Sequence, residues 1–138
     1  CCLGNSLGYL SYEDLKAFLQ AMHASLRPGG RWVVDVGTAA ESLLPRFGAE
    51  DRTLEAAGIR FAVRQRYDAV EGRLLQEAML ARGEAREEGR ISYGVYTVAE
   101  LRRLLVEAGW TVVGLYGALD GRPFSLGDPR LVIVAKRS

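Results

Sequence analysis

Two stretches of the chain repeat apolar residues at intervals of three and four, which is the spacing of one face of an α-helix. The apolar positions are Leu15, Phe18, Leu19, Met22 and Leu26 in the first stretch and Val98, Leu101, Leu104, Leu105 and Ala108 in the second. Ser11 and Thr97 stand ahead of these stretches, where a side-chain hydroxyl can accept from the free amides of a helix N-terminus. The pattern predicts two capped amphipathic helices, the first ended by Pro28 and the paired glycines after it and the second by Gly109.

Other apolar runs have the pattern of β-strands. Residues 32–36 are apolar except for Asp35, which is typical of a strand covered on both faces. Two late runs joined by a Gly-, Pro- and Asp-containing loop, residues 111–116 and 131–135, predict a terminal β-hairpin. Between these regions we expect a short helix over residues 39–44 and a loop over residues 48–51.

The middle of the chain changes to a period near two from Phe61 onward. This alternation predicts an antiparallel meander, and its polar run over residues 83–89 predicts a turn. The three predicted strands of the meander cover residues 61–67, 74–82 and 91–96.

The composition narrows the class of protein. Among 138 residues, 18 basic and 17 acidic side chains give a net charge of +1 and are interspersed, so we expect no nucleic acid partner. The apolar stretches fall short of the roughly 20 residues that span a bilayer, and the first residues lack a signal-peptide pattern. We therefore expect a cytoplasmic protein without a membrane partner. Cys1 and Cys2 are adjacent without metal-binding spacing, so no metal site is predicted.

Three motifs occur in a fixed order along the chain. They are the sequences Gly-Asn-Ser-Leu-Gly-Tyr-Leu from Gly4, Leu-Arg-Pro-Gly-Gly from Leu26, and Tyr96-Thr97 leading through Glu100 to Ala108-Gly109-Trp110. With the element order strand, helix, strand, meander, helix, hairpin, this resembles the C-terminal half of a class I S-adenosylmethionine-dependent methyltransferase of the small-molecule type. The chain also begins without a methionine, inside what has the pattern of a strand end, so we expect it to be part of a longer protein.

The resemblance implies an α/β fold, namely the C-terminal half of a Rossmann-like methyltransferase sheet with an inserted antiparallel meander and a C-terminal hairpin. It implies one partial domain over residues 1–138. Residues 1–37 would supply the end of strand four, a helix and strand five, residues 38–96 the insert, and residues 97–138 a helix and the hairpin. The family's G-x-G-x-G cofactor loop does not occur in this sequence. The chain alone is therefore not expected to bind S-adenosylmethionine tightly.

By resemblance, Cys2, Leu3, Gly4 and Asn5 would contact the cofactor at the carboxyl end of a strand, where open α/β sheets bind ligands. The alternative is that Gly4, Asn5 and Ser6 form only a turn before the first helix. Methyl transfer depends on proximity and alignment and needs no nucleophilic side chain, so no catalytic residue is identified.

The acceptor side of the site would lie on the meander. By resemblance, Arg66, Tyr67, Tyr93 and Tyr96 would shape the pocket for a small-molecule methyl acceptor, through ring faces, hydroxyls and a guanidinium. For any single one of these residues, a solvated face of an amphipathic strand is the favoured alternative.

Two other residues are candidates for chemistry. His23, the single histidine, is expected to pack at the edge of the first helix rather than to act as a base. Asp35, a carboxylate inside an apolar run, would either border the site or pair with an arginine.

Two further expectations concern function and association. The rival function is a non-catalytic α/β module that associates with a partner. A strand end near Cys1 without its neighbour would leave unpaired backbone groups, so we expect a homodimer of the fragment.

Overall fold

The computed structural model describes residues 1–48 and 51–138. These residues divide into two compact units, one formed by Cys1–Phe47 with Gly94–Ser138 and the other by Gly48–Tyr93. The second unit lies within the insert predicted over residues 38–96. That the chain is a single partial domain stays a prediction.

The first unit is built on a three-stranded antiparallel sheet with the strand order β1-β7-β6. Strand β1 covers Arg31–Val36, β6 covers Trp110–Tyr116 and β7 covers Leu131–Arg137. Because β7 pairs antiparallel with both neighbours, the predicted terminal hairpin of β6 and β7 is confirmed.

A single parallel bridge extends this sheet beyond β1, where Cys2 pairs with Val34. The Cys2 amide donates to the Val33 carbonyl at 2.9 Å, and the Asp35 amide donates to the Cys2 carbonyl at 3.0 Å. A strand end near Cys1, ahead of the first helix, is what the resemblance implied for the start of residues 1–37. Because Cys2 pairs in parallel with β1, the loop after Cys2 and the loop after β1 lie at the same end of the sheet, the carboxyl end of both strands.

Two long helices flank the core of the first unit. Helix α1 covers Tyr12–Ser25, and its N-cap Ser11 accepts from the Asp14 amide at 3.1 Å as predicted. Helix α3 covers Val98–Glu107, and Thr97 and Glu100 form the reciprocal capping box. The buried apolar residues come from both helices and all three strands and include Leu15, Leu19, Trp32, Leu101, Leu105, Trp110 and Ile133.

Two short helical segments follow β1. Helix α2 covers Ala40–Leu43, which confirms the predicted short helix, and a 3-10 turn over Leu44–Arg46 continues it past Pro45. The loop predicted over residues 48–51 lies partly outside the described residues, because residues 49 and 50 are not among them.

The second unit is a four-stranded antiparallel sheet with the strand order β2-β3-β4-β5. Strand β2 covers Arg52–Ala56, β3 covers Ile59–Asp68, β4 covers Arg73–Arg82 and β5 covers Ala85–Gly94. The predicted meander is therefore present, with β2 as an additional strand. Ala57 and Gly58 join β2 to β3, both with positive φ, which is the backbone of a type I′ hairpin turn.

The turn predicted over residues 83–89 is wrong. Only Gly83 and Glu84 turn, and Ala85–Gly94 is a strand. The first six residues of β5 are exposed, so their charged side chains stay in water while the main chain pairs with β4. Polarity therefore marked exposure here and not a loop.

Candidate functional site

The loop after Cys2 has an unusual backbone. Gly4 and Asn5 are consecutive residues with positive φ, at 79° and 60°. Asparagine tolerates this left-handed region better than most side chains, and glycine enters it freely. Space around Gly4 is open, since a Cβ there would meet no atom within 4 Å. The loop then enters a 3-10 turn over Ser6–Tyr9, and the Ser6 hydroxyl donates to the Leu3 carbonyl at 3.0 Å.

The Asn5 side chain reaches from this loop to the loop after β1. Its Oδ1 accepts from the amides of Gly37 and Thr38 at 3.1 and 3.2 Å and lies 3.0 Å from the Thr38 hydroxyl. Two backbone donors facing one atom fix the amide orientation, because the Asn5 nitrogen in that place would oppose both N–H groups. Asn5 therefore connects two loops at the carboxyl end of these strands by hydrogen bonds.

Thr38 extends the connection to a third segment. Its hydroxyl is buried and lies 3.1 Å from the Gly94 carbonyl, which belongs to the last residue of β5. The Tyr96 ring packs on Gly94 so closely that a Cβ there would lie 2.7 Å from it. The predicted cofactor residue Asn5 and the predicted acceptor residue Tyr96 are thus linked through Thr38 and Gly94.

The residues after Thr38 hold the start of α3. Ala39 forms a parallel bridge with Tyr96, and the Ala40 amide donates to the Tyr96 carbonyl at 2.8 Å. The Glu41 carboxylate accepts from the Val98 amide at 2.9 Å, so it satisfies a free donor of the α3 N-terminus. We call Gly4–Asn5, Gly37–Glu41 and Gly94–Val98 together the strand-end cluster.

The loop between β6 and β7 has its own ionic anchor. Arg122 donates two hydrogen bonds to Asp128 at 3.0 and 2.9 Å, and the Ser125 amide donates to the same carboxylate at 2.7 Å. The side-chain hydrogen bonds from Arg122, followed by the backbone donor of Ser125, hold the pKa of Asp128 below its usual range. This loop also touches the strand-end cluster, because the Gly127 amide donates to the Glu41 carbonyl at 2.9 Å.

Asp35 has the second of its two predicted environments. The carboxylate is 12% exposed and pairs with Arg130 at 3.4 Å. One of its oxygens, Oδ1, is buried without a hydrogen bond from the described residues. The arginine pair therefore accounts for a carboxylate in the middle of an apolar strand.

The remaining predicted acceptor residues belong to the second unit. Arg66 is exposed on β3 opposite Leu75, and Tyr67 is half-buried opposite Leu74. Neighbouring strand residues point to opposite faces, so Arg66 and Tyr67 do not share a face of this sheet. Tyr93 is half-buried on β5. That these three residues bind an acceptor stays a prediction.

A separate cavity of about 360 Å³ lies within the second unit. Its lining includes two ion pairs, Arg64 with Asp51 at 3.0 Å and Arg90 with Glu77 at 3.3 Å. The hydrogen bonds from Arg64 hold the pKa of Asp51 below its usual range. None of the predicted acceptor residues lines this cavity. The paired charges fit a solvated sheet face.

His23 lies against the core rather than in the strand-end cluster. Its ring meets Trp110 edge to face at a centroid distance of 5.3 Å, and its Nε2 lies 3.1 Å from where a Cβ on Gly109 would stand. This contact fits the packing role predicted for His23. Across residues 1–48 and 51–138, no group of three or more His, Cys, Asp or Glu side chains could hold a metal ion. The helices described are too short or too polar to cross a membrane.

Sequence reasoning missed Thr38, Glu41 and Gly94. Each acts through a partner distant in sequence: Thr38 lies 33 residues from Asn5 and 56 from Gly94, and Glu41 lies 57 from Val98. The one available signal was position, because Thr38 and Glu41 come within five residues of the end of the predicted strand over residues 32–36.

Comparison with known proteins finds solved structures with a similar architecture. No protein-family model and no curated protein matches the chain. A solved S-adenosylmethionine-dependent methyltransferase from Clostridium acetobutylicum matches with a TM-score of 0.85 at 15% identity, covering 98% of this chain and 56% of its own. The CcbJ methyltransferase from Streptomyces caelestis matches with a TM-score of 0.83 at 18% identity, covering 99% and 58%. The sugar N-methyltransferase KedS8 from a Streptoalloteichus species matches with a TM-score of 0.66 at 19% identity, covering 99% and 54%.

At such identities the likeness establishes the fold. The chain has the fold of part of a class I S-adenosylmethionine-dependent methyltransferase, which confirms the predicted Rossmann-like half-sheet with its inserted meander and hairpin. It spans a little over half the length of the solved structures that it resembles.

The strand-end cluster fits the methionine end of such a cofactor in one respect and not in another. The bare backbone around Gly4 leaves room for close approach of a ligand. The Asn5 side-chain oxygen Oδ1, in contrast, already accepts from the Gly37 and Thr38 amides and lies beside the Thr38 hydroxyl. A ligand at this edge would therefore meet backbone atoms of the loop rather than the Asn5 oxygen.

Proposed function

We propose that the chain is the C-terminal portion of an enzyme that transfers a methyl group from S-adenosylmethionine to a small-molecule acceptor. The observation that supports this is the likeness to two methyltransferases over 98% and 99% of the chain, with TM-scores of 0.85 and 0.83. The rival function, a non-catalytic association module, has no such observation in its favour.

In this proposal, the bound cofactor supplies an electrophilic methyl on its sulfonium, and the chain's own residues position the reactants. Methyl transfer gains mainly from alignment of the acceptor atom with the methyl group. The Cys2–Asn5 loop borders the cofactor with its backbone, and Tyr96 borders the acceptor. Arg66, Tyr67 and Tyr93 shape the acceptor pocket from the meander.

The acceptor that we propose to test first is an amine on a sugar. Two of the similar structures are described as an amino pentose methyltransferase and a sugar N-methyltransferase. Tyrosine rings can bind the ammonium form of such an amine, and tyrosine hydroxyls the hydroxyl groups beside it. The nitrogen attacks the methyl group only after it has lost this proton, because an ammonium nitrogen has no lone pair. We further propose a cytoplasmic enzyme that does not use nucleic acid as a partner and whose 138-residue chain forms homodimers.

The test is calorimetric titration of S-adenosylmethionine into the protein in its full natural length and, in parallel, into the 138-residue chain. We expect a dissociation constant in the micromolar range for the former and much weaker binding for the latter, because the chain's sequence has no G-x-G-x-G loop. Transfer of labelled methyl to a panel of amino sugars and other small amines then identifies the acceptor class.

A full-length protein that neither binds S-adenosylmethionine nor methylates any member of the panel would contradict the enzyme proposal. Micromolar binding by the 138-residue chain alone would instead contradict the expectation that this chain holds only part of the cofactor site.

A further inference from the structure

The strand-end cluster depends on one asparagine side chain and one threonine hydroxyl. Asn5 is the single asparagine of the chain, and it stands at a left-handed backbone position between the Cys2 strand end and α1. Its Oδ1 accepts from the Gly37 and Thr38 amides, so two backbone donors that no strand or helix uses are satisfied by a side chain.

Thr38 connects Asn5 to Gly94, the residue at which β5 ends. Its hydroxyl has one proton and two acceptors within reach, Asn5 Oδ1 at 3.0 Å and the Gly94 carbonyl at 3.1 Å. Thr38 is only 7% exposed, so water does not compete freely for this proton. The three segments that meet here come from positions 33 and 56 residues apart in sequence.

We propose that Asn5 and Thr38 are positioning residues, a side-chain clamp that sets the cofactor-side loop against the acceptor-side segment. This inference rests on the proposed function. The clamp acts on ligands through the loops that it holds: Asn5 fixes the loop whose backbone would border the cofactor, and Thr38 fixes Gly94, on which Tyr96 packs. It revises the sequence-based expectation that the Asn5 side chain itself contacts the cofactor.

The competing interpretation is direct contact, in which the Asn5 amide nitrogen donates to the cofactor. The two interpretations predict opposite results for one substitution. Asn5→Asp keeps the acceptor oxygen that the clamp needs, and a carboxylate accepts from backbone amides more strongly than an amide does. The same substitution removes the amide donor that direct contact needs. Aspartate, like asparagine, also tolerates the left-handed backbone.

The experiment uses the protein in its full natural length and S-adenosylmethionine as the probe. Asn5→Gly removes the side chain without backbone strain, and Thr38→Val removes the hydroxyl while keeping the shape. We expect each to weaken binding about tenfold or more, which corresponds to the loss of at least one well-made hydrogen bond. Asn5→Asp and Thr38→Ser should bind within about threefold of the natural protein. Thr111→Val, at an exposed threonine of β6, is the matched control and should leave binding unchanged.

The double variant Asn5→Gly with Thr38→Val should bind about as weakly as either single variant, because residues that act as one unit are not additive. Binding by Asn5→Asp that is as weak as that of Asn5→Gly would overturn the clamp in favour of direct contact. Additive losses in the double variant would also overturn it.

Hydrogen exchange separates this inference from the proposed function. The Gly37 and Thr38 amides should exchange faster in Asn5→Gly and remain protected in Asn5→Asp, whether or not S-adenosylmethionine binds. If the exchange pattern holds and the natural protein binds no S-adenosylmethionine, the clamp stands as a structural device and the proposed function fails. If the exchange of these two amides does not respond to Asn5→Gly, the clamp is wrong.

Discussion

Single glycines decide where several polar side chains of the first unit can lie. The Tyr96 ring lies on Gly94, the Tyr116 hydroxyl lies over Gly114, and the Asp128 carboxylate lies against Gly117. Each position would place a Cβ inside the contact distance of the neighbouring side chain. In the first two cases, a tyrosine folds back over the glycine two residues before it. These tyrosine rings can take their positions because the two glycines have no side chain.

Gly94 provides a direct test at the residue scale. We expect Gly94→Ala to destabilise the protein by about 1–3 kcal/mol, the usual range for overpacking, because its Cβ would lie 2.7 Å from the Tyr96 ring. Gly89→Ala is the matched control on the same strand, where a Cβ meets nothing within 4 Å. Urea unfolding of both variants measures the difference. Equal stability of the two variants would show that Tyr96 moves aside without loss.

At the scale of elements, the sequence predicted what local chemistry determines. Helices α1 and α3 were predictable because Ser11 and Thr97 are caps whose partners lie three residues away. The first part of strand β5 was not, because the charged residues between Gly83 and Arg90 are equally compatible with a turn and with an exposed strand. Only pairing with β4 decides between them.

The candidate site shows the same limit more sharply. Gly4 and Asn5 were predictable as a strand-end loop from their composition and order. The partners of Asn5 were not predictable, because a hydrogen bond to Thr38 depends on how two parallel strand ends are brought side by side. The role of Gly94 depends in addition on where β5 ends, because Gly94 lies 56 residues after Thr38 in the sequence and is brought beside it only by the fold. No local pattern carries that information.

The β6–β7 loop offers a pH-dependent test at the scale of an element. Arg122 and Ser125 lower the pKa of Asp128, so the charged carboxylate stabilises the folded state. This contribution is fully present above the unfolded pKa of about 4 and is lost as the pH falls through the lower pKa of the folded state.

We therefore expect Asp128→Asn to be less stable than the natural protein at pH 7, with a difference that shrinks as the pH falls below about 4. Arg122→Gln should follow the same profile, because it removes the other half of the pair. Thermal unfolding between pH 2 and pH 7 measures both. A difference that does not change with pH would mean that the Arg122–Asp128 pair does not stabilise this loop.

At the scale of the whole molecule, the strand-end cluster gathers contacts that the sequence distributes widely. The segment from Gly37 to Glu41 contacts the Cys2–Asn5 loop, the start of α3 and the β6–β7 loop. Loops at one sheet edge are the usual place for ligand binding in open α/β folds. In this molecule they are held to one another by side-chain and main-chain hydrogen bonds, so we expect a substitution in one loop to affect the others.

The sheet edge beside β1 leads to a prediction about association. Within the described part of the chain, Cys2 pairs with Val34 on one side, and no strand pairs with the outer side of this segment. Leu3 is 56% exposed beside it. Unpaired backbone groups beside an apolar side chain favour pairing with a strand of a second chain. A lysine at such a position opposes this pairing. We therefore expect the 138-residue chain to form a symmetric dimer through this edge.

Sedimentation of the 138-residue chain over a concentration series tests this expectation. We expect dimers to predominate at about 100 µM, since an edge pairing of this kind is weak and depends on concentration. Leu3→Lys should shift the chain to monomers. Val70→Lys is the matched control, because Val70 is 92% exposed in the turn between β3 and β4 and belongs to the second unit, so it should leave the dimer intact. If the 138-residue chain without a substitution is well folded by circular dichroism and still monomeric at that concentration, this strand edge does not join two copies.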